Sequence, residues 1–253
     1  MQKYRHIQEF KIKYCEVDYK DDVKLSTVLS YLEEVACASG DELGFGYDYI
    51  KPRGFAFMIS SICCEFYQPM RLGDSVKVAT WPTPPTYAVF GREYQMENPI
   101  NGELLLAATS RWCLIDMKSG KIASSKVIDN QDYSTYNTDR ALVETQWKIP
   151  QFPLEEGKLG FSLRIAHSEY DHNMHVNNTR YADYCLNCFS MDELNERRLK
   201  KFQISYCKQC REGDELRFYR RKEDNGDYVV QGVNQADERV MLCRLSFENS
   251  SIL

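Results

Sequence analysis

Two short stretches, Arg71-Leu-Gly-Asp74 and Arg211-Glu-Gly-Asp214, occupy the same place in two successions of elements, and that repetition restricts the fold more than any single residue does. The first succession opens with an alternating strand from Phe10 to Tyr14. A helix follows, with Leu25, Val28, Leu29, Leu32, Val35 and Ala36 on one face, and it is expected to end near Gly44 or Gly46. Strands are expected over Phe55 to Tyr67, Ser75 to Trp81, Tyr87 to Glu97 and Leu104 to Asp116, the last two joined through Asn98-Pro-Ile-Asn-Gly102. The second succession repeats this order: a strand over Phe161 to His167, a helix over Asn177 to Phe189, then strands over Lys201 to Cys210, Glu215 to Arg221, Asp227 to Asn234 and Glu238 to Glu248. Aligning Asp18 with Asp171 places Val23 on Val176 and Tyr31 on Tyr184.

An apolar helix beside five antiparallel strands has to be covered by the sheet. The expected class is therefore α+β, with two antiparallel sheets each wrapped around a long central helix. The units span residues 1–116 and 160–253, and the polar, proline-containing stretch 117–159 reads as a linker. The two units are expected to pair.

Within the second succession, Asp171, Asn173 and His175 fall at every second position just before the helix. In extended backbone such spacing sends a carboxylate, an amide and an imidazole to one side. Asn177 or Asn178 is a plausible N-cap, and Tyr181, Tyr184, Cys185 and Cys188 follow at the spacing of a buried helix face. The trio thus stands at a helix N-terminus, whose free amides suit a developing oxyanion. Singly, each residue is more simply a turn or loop residue; together they point to acyl transfer. Under the alignment the first succession has Lys20 and Asp22 in place of Asn173 and His175, so the chemistry is expected in the second unit and chain binding in the first.

Composition excludes several other classes. No apolar stretch approaches the length of a bilayer span, and the N-terminal residues form no apolar core of a signal peptide, so a soluble, unexported protein is expected. Ten cysteines then read as reduced thiols in a cytoplasmic protein. A net charge of −5 argues against general nucleic-acid binding. The charge is uneven, however: ten Lys/Arg lie between Arg197 and Lys222, against only Glu212, Asp214 and Glu215. That cluster is either a solvated face or a patch that steers an acidic partner. Cys185-Leu-Asn-Cys188 and Cys207-Lys-Gln-Cys210 have 18 residues between them, the spacing of a four-cysteine zinc site. A helix-borne pair and a strand-borne pair cannot easily converge on one metal, and no metal or other cofactor is expected.

The run Asp171-His-Asn-Met-His-Val-Asn-Asn178 with Tyr181 resembles the Asp-x-Asn-x-His-Val-Asn-Asn-x-x-Tyr motif of the fatty acyl-carrier-protein (acyl-ACP) thioesterases of plants and bacteria, and the similarity extends over essentially the whole chain. The resemblance implies a tandem (double) hotdog fold and hydrolysis of the thioester between a fatty acyl chain and acyl carrier protein, releasing free fatty acid. It implies catalytic roles for Asp171, Asn173, His175 and Cys210, and substrate contacts at Val176, Asn177, Asn178 and Gln209. Tyr206-Cys-Lys-Gln-Cys210 resembles a second family segment that ends in Glu-Cys; here Gln209 stands where the family has the glutamate, and an amide cannot act as a base. Either water, activated by His175, or the Cys210 thiol is the attacking nucleophile. The acidic carrier gives Arg197, Arg198, Lys200 and Lys201 a docking role, with no nucleic acid or membrane partner. Chain length and oligomeric state, a homodimer included, stay open. The alternatives are an acyl-CoA thioesterase and a non-catalytic acyl or carrier-protein binding module.

Overall fold

A computed structural model describes residues 3–143, 145–171 and 173–249. The chain divides into two compact units, one running to Val23 and over Thr27–Thr145, the other comprising Lys24–Ser26 and the chain from Gln146 onward. Among the described residues no helix is long and apolar enough to cross a membrane.

Unit 1 contains β1 (His6–Lys11), α1 (Leu25–Glu42), the single-turn α2 (Tyr47–Ile50), β2 (Phe55–Phe66), β3 (Ser75–Pro82), β4 (Val89–Glu97) and β5 (Leu104–Asp116). Its strands lie in the order β1-β3-β4-β5-β2, all antiparallel. The expected face of α1 is buried: Leu25, Val28, Leu29, Leu32, Val35 and Ala36 are all at most 8% exposed. Each such leucine or valine side chain contributes about 1.5–3 kcal/mol on burial. Phe10 of β1 stacks on Tyr31 of α1, with ring centroids 4.3 Å apart, which identifies the sheet face turned toward the helix.

Unit 2 contains β6 (Lys158–Arg164), α3 (Arg180–Leu186), α4 (Met191–Asn195), β7 (Arg197–Tyr206), β8 (Glu215–Lys222), β9 (Tyr228–Val233) and β10 (Arg239–Asn249). The order β7-β10-β9-β8-β6 is that of unit 1, counted from the other end. Here the expectation of a long helix is corrected. The α-helix is only 7 residues long, and a separate helix, α4, begins at a Ser190 capping box in which the Glu193 amide donates to Ser190 Oγ at 3.2 Å. The buried stripe nonetheless runs on past α3 to Cys188, whose thiol donates to the Tyr184 carbonyl. Gly160 of β6 makes this close approach achievable: a Cβ there would stand 2.7 Å from Cys188 Cβ and 2.8 Å from its Cα.

The first strand of each unit lies several residues earlier than the alternation suggests, for the same reason twice. Ile12 leaves the ladder to donate to Asp74 and accept from Gly73, and Ile165 does the same with Asp214 and Gly213. A 3-10 turn then follows, at Tyr14–Glu16 in one case and His167–Glu169 in the other. Strand β7 likewise ends at Tyr206, because the amides of Cys207 and Lys208 both turn to the Val240 carbonyl; Cys207 and Cys210 therefore lie on a loop rather than in a strand.

The duplication holds bond for bond. In the two Arg-x-Gly-Asp turns the Arg71 and Arg211 amides each donate to the following aspartate at 2.8 Å, and Gly73 and Gly213 supply the positive φ of 86° and 90°. The stretch 117–159 is also fastened down. Its first part packs Ile128 with Phe45, Ile50 and Leu114, and Trp81 Nε1 donates to the Asp139 carbonyl at 3.0 Å. On the sheet face away from α1, the fully buried Glu93 accepts from Thr109 Oγ1 (2.9 Å), Arg140 Nη1 (2.8 Å) and the Ala141 amide (3.0 Å). Within unit 2, Ile149 and Phe152 pack on Val229 and Leu242.

Candidate active site

Asp171, Asn173 and His175 lie on one tight turn rather than on extended backbone. Tyr170 and Val176 bridge in antiparallel fashion, and a tight turn closes between them. The Asp171 amide donates to the His175 carbonyl at 2.8 Å and the Met174 amide to the Asp171 carbonyl at 3.1 Å. Met174 takes a φ of 60°. Asp171 Oδ1 accepts the amides of Asn173 (2.8 Å) and His175 (3.2 Å). An aspartate that opens a turn captures the amides ahead of it, and this local bonding outweighs the extended alternative. The Asp171 carboxylate therefore fixes the turn. It leaves the Asn173 side chain exposed and that of His175 half-buried on the same short loop.

Unit 1 makes the same turn with different side chains. Asp18 Oδ1 accepts the amides of Lys20 (2.8 Å) and Asp22 (3.2 Å), and Asp21 has a φ of 61°. Asp22, in the place of His175, ion-pairs with Lys20 (3.8 Å) and Arg71 (3.5 Å). One backbone frame thus carries an ion-paired cluster in unit 1 and an amide with an imidazole in unit 2.

Asn177 Oδ1 accepts from the Thr179 amide (2.9 Å) and hydroxyl (2.7 Å), and its carbonyl accepts from the Arg180 amide at 3.0 Å. Thr179 rather than Asn177 or Asn178 is the residue flanking α3. The leading amides of the helix are occupied, so the expectation that they serve an oxyanion is corrected for Thr179 and Arg180. Val176 is buried, and the Asn178 carbonyl accepts from the Tyr206 hydroxyl at 3.0 Å. Glu169 holds the Tyr184 hydroxyl, as Glu16 holds that of Tyr31 at 2.8 Å.

Cys210 is 2% exposed and accepts a hydrogen bond from the Tyr181 hydroxyl. Burial raises its thiol pKa above the ordinary value, outweighing the lowering effect of Tyr181, so the thiol is protonated at neutral pH. Gln209 is exposed beside it. The loop carrying both residues is tied to the turn by a bond that sequence reasoning missed: the Glu212 amide donates to the Tyr170 hydroxyl at 2.5 Å. Tyr181, Tyr184 and Tyr206 form one aromatic group, with ring centroids of Tyr181 5.7 Å from Tyr184 and 5.8 Å from Tyr206. No spacing signal connects Tyr170 with Glu212, because the contact arises from the sheet rather than from a local pattern.

The remaining cysteines are dispersed. Cys185 is buried and its thiol bonds that of Cys243, Cys188 is turned to the Tyr184 carbonyl, and Cys207 is exposed. The basic cluster is more compensated than its local sequence shows. Arg198 and Lys200 both reach Glu248, Lys208 reaches Glu238, Arg217 Asp237, Arg220 Glu193, and Arg221 Glu156 and Glu223. Arg197 donates to the Tyr228 hydroxyl at 2.9 Å, and Lys201 is exposed.

Two helix-bearing antiparallel units in tandem constitute a double hotdog fold, and solved structures share it. The crystal structure of an acyl-ACP thioesterase from Bacteroides thetaiotaomicron superposes with a TM-score of 0.87 at 20% identity, covering 96% of this chain and 98% of that one. The 12:0-ACP thioesterase from Umbellularia californica gives 0.87 at 15% identity, over 97% and 98%. Residues 3–130 match the acyl-ACP thioesterase N-terminal domain and residues 156–248 the C-terminal domain, so the chain belongs to the acyl-ACP thioesterase family. Among curated relatives, the acyl-[acyl-carrier-protein] hydrolase FATB3, chloroplastic, of Cuphea viscosissima is 23% identical over 81% of this chain and 52% of its own length. The oleoyl-acyl carrier protein thioesterase 1, chloroplastic, of Arabidopsis thaliana is 22% identical over 82% of this chain and 61% of its own length. The chain thus spans between about half and three fifths of these relatives.

Proposed function

We propose that this protein hydrolyses the thioester of fatty acyl-ACP, releasing free fatty acid and ending chain elongation in fatty acid biosynthesis, with acyl-chain binding assigned to unit 1 and catalysis to unit 2. The observation that carries this assignment is the pair of twin turns: an identical backbone frame holds Lys20 and Asp22 in one unit, and Asn173 and His175 in the other. Only the second set offers a neutral amide and an imidazole; the Asp22 carboxylate of the first is ion-paired with Lys20 and Arg71.

In the proposed mechanism His175 takes a proton from water as the hydroxide adds to the thioester carbonyl carbon. The Asn173 amide, exposed on the same loop, donates to the oxygen that becomes negative. As the carbon–sulfur bond breaks, His175 returns the proton to the departing thiolate, leaving a fatty acid and a free thiol. Asp171 is a positioning residue that shapes the turn. Val176, Asn177 and Asn178 form the adjoining wall, and Gln209 orients water without deprotonating it. Water is favoured over Cys210 as nucleophile because a buried, protonated thiol bonded to Tyr181 is poorly activated. Cys210→Ser is accordingly expected to keep turnover within about threefold of the parent in single-turnover assays. An acyl group trapped on Cys210 would establish the covalent route instead.

Carrier docking is assigned to Arg197, Arg198, Lys200 and Lys201, where Arg198 and Lys200 share the one carboxylate of Glu248. Replacing Lys200 and Lys201 together with glutamate is expected to raise KM for acyl-ACP about tenfold at low salt, with a smaller effect at high salt. The same acyl chain on CoA serves as the comparison, and equal turnover on both carriers would favour an acyl-CoA thioesterase. Failure to release any fatty acid from either would favour the binding-module reading. Ten free thiols suit a reducing compartment such as the cytoplasm.

A further inference from the structure

The α1-facing side of unit 1 carries a buried positive charge that none of the described residues neutralises. Arg92 of β4 is 6% exposed, and its one hydrogen bond among the described residues runs from Nη1 to Thr80 Oγ1 at 3.3 Å. Its neighbour Glu93 points to the opposite face and is engaged by Arg140. Because Phe10 meets α1 and pairs with Val76, the alternation of the ladder turns Val78 and Thr80, and with them Tyr94 and Arg92, toward the helix. Arg92 stands opposite Ser110, which shares a hydrogen bond with Tyr94 at 3.1 Å and accepts from Trp112 Nε1 at 2.7 Å.

Tyr4, Cys37 and Tyr136 lie within electrostatic reach of Arg92. Cys37 of α1 keeps accessible surface, yet desolvation pushes its thiol up to about 11.

Unit 2 provides the internal comparison. The amides of Tyr67 and Cys207 donate to Leu105 and Val240 respectively, which aligns β5 with β10 and places Ser110 on Leu245. The ladders then set Arg92 on Tyr228 and Tyr94 on Val230. At these positions unit 2 is filled: the Tyr228 ring packs 5.0 Å from Phe189 and 6.1 Å from Phe247. The Arg220 guanidinium lies 5.9 Å from the Tyr228 ring and is paired with Glu193 at 2.8 Å, whereas Arg92 has no carboxylate partner among the described residues, and a buried cation without a counter-charge is costly. A guanidinium presents a planar fork of donors that a carboxylate matches with two parallel bonds. The neighbouring side chains on this face, Met96 and Leu106, are apolar, which suits a carboxylate borne on hydrocarbon.

We propose that the α1-facing side of unit 1 is a binding site for the carboxylate of an aliphatic acid, held by Arg92 with the Tyr94 hydroxyl beside it, the Thr80 hydroxyl being committed to the Glu93 carbonyl and to Arg92 itself. The aliphatic part rests on the acyl-thioesterase reading, whereas the carboxylate does not. The carboxylate belongs either to free fatty acid or to the far end of a carboxyl-terminated acyl chain still joined to its carrier.

Calorimetric titration of the full chain with decanoate and with decanol tests the site without requiring turnover. The parent protein is expected to bind decanoate at least tenfold more tightly than decanol. Arg92→Met is expected to erase that preference and to raise Tm, since it removes a buried charge that no described residue neutralises. Kinetics then identify the source: decanoate inhibits the parent but not Arg92→Met if free acid is the ligand, whereas a carboxyl-terminated acyl thioester is preferred by the parent alone if the substrate's far end is. Equal affinity of the parent for acid and alcohol overturns the proposal even if the variant fails to fold, as does a variant that keeps the preference. Either result leaves the effect of His175 replacement on hydrolysis untouched, so the two readings fail separately.

Discussion

His175→Ala is expected to lower kcat/KM for acyl-ACP by about 10²–10⁴, the range over which a positioned general base contributes, while Tm changes little. The imidazole is half-buried on a turn whose bonds come from the main chain and from Asp171, so its removal leaves the backbone frame intact. Asp171→Ala should behave differently. It unties the Asn173 and His175 amides together, lowering activity through loss of geometry and increasing hydrogen exchange at both amides. Steady-state assay of fatty acid release, with amide exchange on the same variants, separates a chemical from a positioning role. A fully active His175→Ala enzyme would remove the basis of the proposed mechanism.

Glu93→Ala is expected to destabilise unit 1 by about 3 kcal/mol, within the range for breaking a buried, multiply bonded carboxylate. The loss strands the Thr109 hydroxyl and the Ala141 amide, while Arg140, 60% exposed, turns to solvent and recovers part of the cost. The corresponding fall in Tm is roughly 6–12 °C for a chain of this size. Glu93→Gln keeps an acceptor for one or two of the donors and should lose about half as much. Thermal melts measure the effect, and limited proteolysis locates it, since stretch 117–143 should become cleavable in the alanine variant. An unchanged melt for Glu93→Ala would mean that the packed apolar residues alone fasten this stretch.

The departures from sequence expectation share a physical origin. Alternation in Phe10 to Tyr14 and Phe161 to His167 reports which residues can form a strand, but the strand stops before Ile12 and Ile165, because the Asp74 and Asp214 amides opposite them turn back to the Arg71 and Arg211 carbonyls. The stretch 117–159 shows no periodicity because its buried residues, Ile128, Ile149 and Phe152, are spaced by the surfaces they meet rather than by a helix or strand of their own. Likewise, the excess of positive charge from Arg197 to Lys222 is real in sequence and much reduced in space, since Glu248, Glu238, Asp237, Glu193 and Glu156 arrive from other elements.

By itself the sequence determined the duplication, the element order of each unit, the buried stripe of α1 and the chemical identity of Asn173 and His175, because all of these depend on residue types at short separations. Only the tertiary structure decided that Asp171 is spent on the turn, that Cys210 is buried beside Tyr181, that Asn177 occupies the Thr179 and Arg180 amides, and that Arg92 stands without a counter-charge among the described residues. Each of those outcomes depends on which groups meet across the sheet, and hydrogen bonding and desolvation act between spatial neighbours wherever they lie along the chain.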